Sequence, residues 1–268
     1  MRNIVVFRGG GDVATGSIQK VKRSGFNVLV LESKNPTAVR RTVSICEAVY
    51  EGYSNVEDIS AVLVKNKQEI YKAFEDDKVA VLVDEKAKIL DEIKPIALVD
   101  AIIAKRNIGT TIDMAPTVIA LGPGFSAGID CDIVIETNRG HNLSRLIFNG
   151  EAEKNTGNPG NIEGYTTQRV LYSPDKGRIR NVLKLGDFVE EGQIIAYVND
   201  KPVKSKLKGM LRGLIRDNSL VRLNMKIGDV DPRRDRRNLY TISDKARAIG
   251  GGTLEAILIG ERNEKSKN

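Results

Sequence analysis

The chain of 268 residues has little cysteine and histidine: Cys46 and Cys131 are its two cysteines and His141 its single histidine. No metal-ligand spacing can be assembled from so few, which argues against a zinc or iron–sulfur site held by one chain. A Ser-His-Asp arrangement would have to rest on His141 alone, and no nucleophile motif accompanies it. Long apolar runs are also missing. The longest, such as residues 28–31 and 79–83, fall far short of the roughly 20 residues a bilayer requires. The first seven residues lack signal-peptide organisation, because a glycine loop arrives before any apolar core develops. The expectation is a cytoplasmic protein with no membrane association.

What is present fits a globular chain: 41% hydrophobic and 29% charged residues, with enough length for two compact units. The net charge of +7 is unevenly spread. Residues 1–100 balance, residues 101–200 carry −2, and residues 201–268 carry +9. Such a segment suits an anionic ligand, an acidic partner or a solvated surface. It holds one aromatic residue, Tyr240, and no nucleic-acid-binding motif, so nucleic acid is not among the expected partners.

Residues 3–8 form an apolar run that stops at Gly9, Gly10 and Gly11; helical periodicity follows over 12–23, closed by Ser24 and Gly25. Residues 27–32 form a second apolar strand. This strand–loop–helix–strand order is what a parallel crossover needs. Further strands are expected at 79–84, 118–121 and 133–136, with a helix over 85–92 and another apolar stretch over 96–103. The fold class expected is α/β, with a Rossmann-like domain over residues 1–150. The polar, turn-rich stretch 150–164 marks a boundary. Residues 151–268 are expected to form a mainly-β domain of short duplicated strands, similar to a barrel-sandwich hybrid, because 177–189 is echoed by 209–230. In that arrangement Lys201 lies at the hairpin tip, without the neighbours of a lipoyl or biotinyl lysine. Near the C-terminus, residues 243–249 read as a short capped helix ended by Gly250, Gly251 and Gly252.

The strongest chemical motif is Gly9, Gly10, Gly11, Asp12, Val13 and Ala14, with Glu32 at the end of the next strand. Glycines allow a tight turn and close approach of an anion, and the helix start offers unpaired N–H groups. Glu32 would then accept hydrogen bonds from a ribose. Asp12 opposes this, since its carboxylate sits where a phosphate would go; it is alternatively an N-cap. A second loop containing Gly122, Pro123 and Gly124 is either an anion-binding nest or a tight connection. Cys131 lies between Asp130 and Asp132, which would raise its pKa. Arg139 and His141, at the end of a strand, are candidates for gripping a phosphate and carrying a proton. The candidate catalytic residues are therefore His141, Arg139 and Cys131.

RGGGDVATG at 8–16, RRTVS at 40–44, EAVYEG at 47–52, GPGF at 122–125, ETNRGHN at 136–142, GDVDPR at 228–233 and TISDK at 241–245 span most of the chain. Together they resemble the YqeB-type accessory proteins of selenium-dependent molybdenum hydroxylases, a family distantly similar to the maturation factors of xanthine and carbon monoxide dehydrogenases. The resemblance implies a role in maturing, loading or inserting the molybdenum cofactor. A client hydroxylase and other maturation factors would be the partners. The ligand would be a phosphorylated pterin of the molybdopterin type, or a nucleotide such as NAD. Two other readings stand beside it: an NAD-dependent oxidoreductase using Gly9, Gly11 and Glu32, and a non-enzymatic adaptor docking the hydroxylase through its basic region. Self-association remains open.

Overall fold

The computed structural model describes residues 3–155, 157 and 159–266. Thr156 and Asn158 of the expected boundary lie outside them. The chain divides into two compact units, each discontinuous. The first comprises Met1–Pro36, Ser44–Asn155 and Ile242–Asn268; the second comprises Thr37–Val43 and Thr156–Thr241. The described α-helices are α1 (Asp12–Arg23), α2 (Ala48–Glu51), α3 (Lys67–Glu75), α4 (Arg237–Tyr240) and α5 (Asp244–Lys265).

The first unit is built on β1 (Ile4–Arg8), β2 (Asn27–Glu32), β3 (Tyr53–Val56), β4 (Ile59–Val64), β5 (Val79–Val83), β6 (Ala97–Asp100) and β7 (Val118–Leu121). It adds β8 (Ser126–Ala127), β9 (Ile133–Ile135), β10 (Leu146–Ile147) and β11 (Gly150–Glu151). Nine strands form one sheet in the order β10-β9-β7-β6-β1-β2-β5-β4-β3. The seven inner strands run parallel, and the outermost pair at each end is antiparallel. Strands buried on both faces read as unbroken apolar runs, which is why VVF in β1 and VLVL in β2 do not alternate. One face closes on α3, where Val6, Leu29, Ile70, Leu98, Val118 and Val134 share a core cluster. Removing a side chain such as Ile70, fully buried there, would cost about 2–5 kcal/mol.

α1 and α5 pack on each other and on the sheet. Their contact is made by small residues. A Cβ on Gly16 would collide with the backbone of Ala246, one on Gly250 would meet the backbone of Gly16, and the Ser17 and Thr253 hydroxyls are 2.9 Å apart. This close approach explains why the helix runs through Gly250, Gly251 and Gly252 instead of ending there. Ser243 caps it by accepting from Ala246 N–H.

The second unit contains β12 (Val170–Tyr172), β13 (Gly177–Asn181), β14 (Phe188–Val189), β15 (Ile194–Val198), β16 (Lys201–Lys204), β17 (Gly209–Leu214), β18 (Leu220–Val221) and β19 (Lys226–Asp231). They form two antiparallel sheets, β12-β19-β17-β14 and β16-β15-β13-β18. The sequence echo appears as an exchange: β14 of the first half pairs with β17 of the second, and β18 pairs with β13. Lys201 begins β16, with its Nζ 3.1 Å from Asp175. The excursion 37–43 is tied in by side chains: Arg40 donates to the Asn238 and Thr241 carbonyls, and Arg41 donates to that of Leu214.

These observations correct the expected fold class. A Rossmann-like domain followed by a barrel-sandwich-hybrid-like domain is replaced by a large mixed sheet and a separate unit of two antiparallel sheets, with nineteen strands against five helices among the described residues. In a doubly wound fold, helices link successive parallel strands. Here residues 101–117 and 122–132 join parallel strands without any α-helix, and 85–92 holds only a short 3-10 turn. The first of these connections places Ile103, Lys105 and Gly109 at positive φ, which helices do not accommodate. The face beside β6, β7 and β9 is instead contacted by α5, from the far end of the chain. The division at residue 150 is likewise redrawn, because 242–268 joins the first unit.

Candidate functional site

Sheet register assembles the polar groups at the carboxyl ends of β1, β2 and β6. Arg8 stands level with Leu31 on one side and with Asp100 on the other. Its guanidinium is buried; one nitrogen donates to Thr110 Oγ1 at 2.5 Å and lies 3.7 Å from the Asp100 carboxylate. The Thr110 hydroxyl in turn donates to Asp100 at 2.5 Å. Burial pushes the Asp100 carboxyl up, while bonds from Thr110 and Ile102 N–H and the charge of Arg8 hold it down. Losing one partner of such a buried pair would cost about 3–5 kcal/mol.

The glycine loop begins one residue later. Gly9 has φ +94°, and a Cβ there would lie 3.1 Å from the backbone of Ala101 and Ile102. The Gly10 carbonyl accepts from Cys46 N–H at 2.9 Å, and Thr15 Oγ1 both donates to the Gly11 carbonyl and accepts from Ile45 N–H. Gly11 differs from its neighbours: it is the N-cap of α1, and a Cβ there would meet nothing within 4 Å. Asp12 is not the N-cap of α1, since Gly11 holds that place, and the carboxylate of Glu32 closes on the loop. Glu32 Oε1 accepts from Gly10 N–H at 2.7 Å and Oε2 accepts from Ser33 N–H at 2.8 Å. Burial raises the Glu32 carboxyl, these two bonds lower it, and the charge of Glu85 adds to the rise. Glu32 therefore shapes the loop.

Cys46 is buried beside this loop. Its thiol is pushed well above the ordinary range by burial, then by the carboxylates of Glu32, Glu47 and Asp12. Three carboxylates near one another make this rim acidic, which limits how much uncompensated anion it can accept.

The second glycine loop is packed by its own chain. Gly122 (φ +80°) has no room for a Cβ because Thr137 Oγ1 would lie 2.5 Å away, and Gly124 (φ +104°) abuts the backbone of Arg106 at the same distance. Both glycines are explained by close chain approach. Cys131 is buried, and its thiol is raised to about 12 by burial and then by Asp130, Asp132 and Asp100. Since the thiolate is the nucleophile, neither cysteine offers one at neutral pH. Arg139 grips Asp244 bidentately at 2.8 and 2.6 Å, so its fork is engaged at the start of α5. His141 is exposed and has no hydrogen-bond partner among the described residues. The buried group in that segment is Glu136, whose carboxylate accepts from Asn138 and Glu153 N–H and organises the loop. The structure thus gathers Gly9, Gly10, Gly11 and Glu32 at one rim and gives Gly122, Gly124, Cys131 and Arg139 internal partners.

Sequence reasoning overlooked Arg8, Asp100 and Thr110. The available signal was a charged residue ending each of two apolar runs, at Arg8 and Asp100. The GDVDPR motif turns out to serve the interior of the second unit. Asp229 and Asp231 alternate on β19 and are buried against Arg169 and Arg212, with Arg233 closing on Asp231 at 2.6 Å. That cluster is an internal ion-pair network. No group of three or more His, Cys, Asp or Glu placed to hold a metal ion occurs among the described residues. No described helix is long and apolar enough to cross a membrane.

No protein-family model matches the chain. It is 49% identical over 256 residues, 96% of its length, to the uncharacterized protein YqeB of Escherichia coli K12. The chain spans about half, 47%, of that relative. Among solved structures, the ectoine utilization protein EutE (DoeB) of Ruegeria pomeroyi aligns over 85% of this chain and 86% of its own, at 9% identity and a TM-score of 0.25. An aspartoacylase family protein of Mesorhizobium loti aligns over 85% and 84%, at 12% identity and a TM-score of 0.26. Scores that low establish neither a shared fold nor a shared activity.

Proposed function

We propose that the chain is an accessory factor in the maturation of a selenium-dependent molybdenum hydroxylase and holds a phosphorylated pterin or a nucleotide at the β1–α1 rim. The observation that carries this reading is the open space over Gly11, at the start of a twelve-residue helix, beside a carboxylate fixed by Gly10 N–H. The first-turn N–H groups and dipole of α1 favour a phosphate. Glu32 spends one lone pair of each oxygen on the backbone and keeps acceptor capacity for the N–H edge of a pterin or the hydroxyls of a ribose. Because Glu32, Glu47 and Asp12 surround the loop, the ligand must bring donors as well as a phosphate. The hydroxylase context rests on the motif likeness; the client enzyme and other maturation factors are the partners it implies.

Mass spectrometry of small molecules released from the protein purified from its native host tests this reading against Gly11→Asp. Aspartate is a favoured N-cap, so the variant should fold while placing a carboxylate in the open space. A pterin or nucleotide recovered from the wild type and lost from the variant is the expected result. Equal recovery from both, or none from the wild type, would remove the reading. The adaptor alternative has its own support in the charge of the second unit, 19 Lys and Arg against 10 Asp and Glu, while the first holds 23 against 25. Salt-sensitive complex formation with a hydroxylase, with no ligand retained, would favour it. Hydride transfer with NAD gains no support from an exposed, unpartnered His141.

A further inference from the structure

Residues 233–237 place four arginines around one aspartate in the second unit. Two of them are neutralised. Arg233 pairs with the fully buried Asp231 through two bonds of 2.9 and 2.6 Å, and Arg237 pairs with Asp235 at 2.8 Å. The other two converge on a single ring: the Arg234 and Arg236 guanidinium carbons lie 4.6 and 5.4 Å from the centre of Phe188. Neither has a carboxylate partner among the described residues, and both are exposed. Arg234 sits at φ +58°, a conformation few non-glycine residues adopt, held between the two paired neighbours. Phe188 is 41% exposed and lies on β14, an edge strand of its sheet.

Two like charges on one ring repel, and neither guanidinium is in an ion pair among the described residues. A guanidinium lying against a ring keeps N–H donors free, and its planar fork matches a carboxylate. We propose that Phe188, Arg234 and Arg236 form a docking site for a carboxylate-rich segment of a partner protein. Charge complementarity with a unit of net charge +9 favours an acidic partner. A single-stranded nucleic acid fits less well, because base stacking needs open ring faces. At this site the Phe188 ring already carries two guanidiniums. The proposal is independent of any ligand at the β1–α1 rim, which lies in the other unit.

The test is fluorescence anisotropy of a labelled octaglutamate peptide with the full chain. The Arg234→Ala/Arg236→Ala pair should weaken binding about tenfold, the scale of losing charge-assisted hydrogen bonds. Lys204→Ala/Lys206→Ala removes the same charge from exposed positions at the end of β16 and in the loop just after it, and should leave binding within about twofold. An Arg234→Gln/Arg236→Gln pair, which keeps side-chain length, is measured alongside so that a folding defect in one variant cannot decide the result. Equal losses in the arginine and lysine pairs would overturn the proposal in favour of diffuse charge. Absence of octaglutamate binding, or tighter binding of oligo-dT lost in the same arginine variants, would overturn it as well.

Discussion

The two glycine loops hold three glycines each and both follow inner strands of the same sheet, yet Gly11 and the pair Gly122 and Gly124 answer to different neighbours. At Gly122 and Gly124 the space a side chain would need is filled by Thr137 and Arg106. At Gly11 it is empty, and the adjoining Gly10 amide is held by the carboxylate of Glu32. A glycine that admits its own chain and one that admits something else cannot be told apart by residue type. The first kind tightens the packing of the chain; the second leaves room, which is what the proposed phosphate site would use.

Four substitutions sharpen or break that contrast. Gly124→Ala combines positive φ with a clash against backbone, which cannot rotate away; urea unfolding should show a loss of roughly 3 kcal/mol. Gly122→Ala meets a side chain instead, so a loss of about 2 kcal/mol is expected, and Thr137→Ala in the same chain should restore part of it. Full wild-type stability in either glycine variant would show that the second loop is not self-packed.

Glu32→Gln leaves one of two backbone amides with a poorer acceptor and should cost about 1 kcal/mol at neutral pH. It should also change the pH profile. The folded-state pKa of Glu32 is raised by burial, so its stabilising share is fully present below the unfolded carboxyl pKa and is lost as pH rises through the folded value. The wild-type decline over that acidic window should be shallower in the variant when melts are run across it. A variant profile parallel to the wild type would mean that Glu32 is not buried against the loop. Gly11→Ala should be the mildest, about 0.5 kcal/mol by chemical denaturation, because only capping preference is lost. A cost matching that of Gly124→Ala would abolish the distinction between the loops.

Local chemistry was readable along the chain to the extent that it was local. The limits of β1, α1 and β2 follow from apolar runs and glycine punctuation, and the strands at 79–83, 118–121 and 133–135 lie where short apolar runs place them. α5 was misread because its glycines signal a helix end unless the partner helix is known: Gly250 is there to admit Gly16, 234 residues earlier. The alternating aspartates of GDVDPR are costly to bury, and only Arg169 and Arg212, distant in the chain, explain how they are accommodated. Arg139 looked free for a phosphate until Asp244 was brought beside it.

By itself the sequence determined the apolar strands, the crossover from β1 to β2, the carboxylates flanking Cys131 and the excess of cations toward the C-terminus, because periodicity, turn residues and neighbouring charge act over a few residues. Tertiary structure decided the rest: the mixed order of nine strands, the return of 242–268 to the first unit, and which charges are spent inside the molecule. Those outcomes depend on residues far apart in the chain competing for the same buried space and the same partners, and no local pattern records who wins.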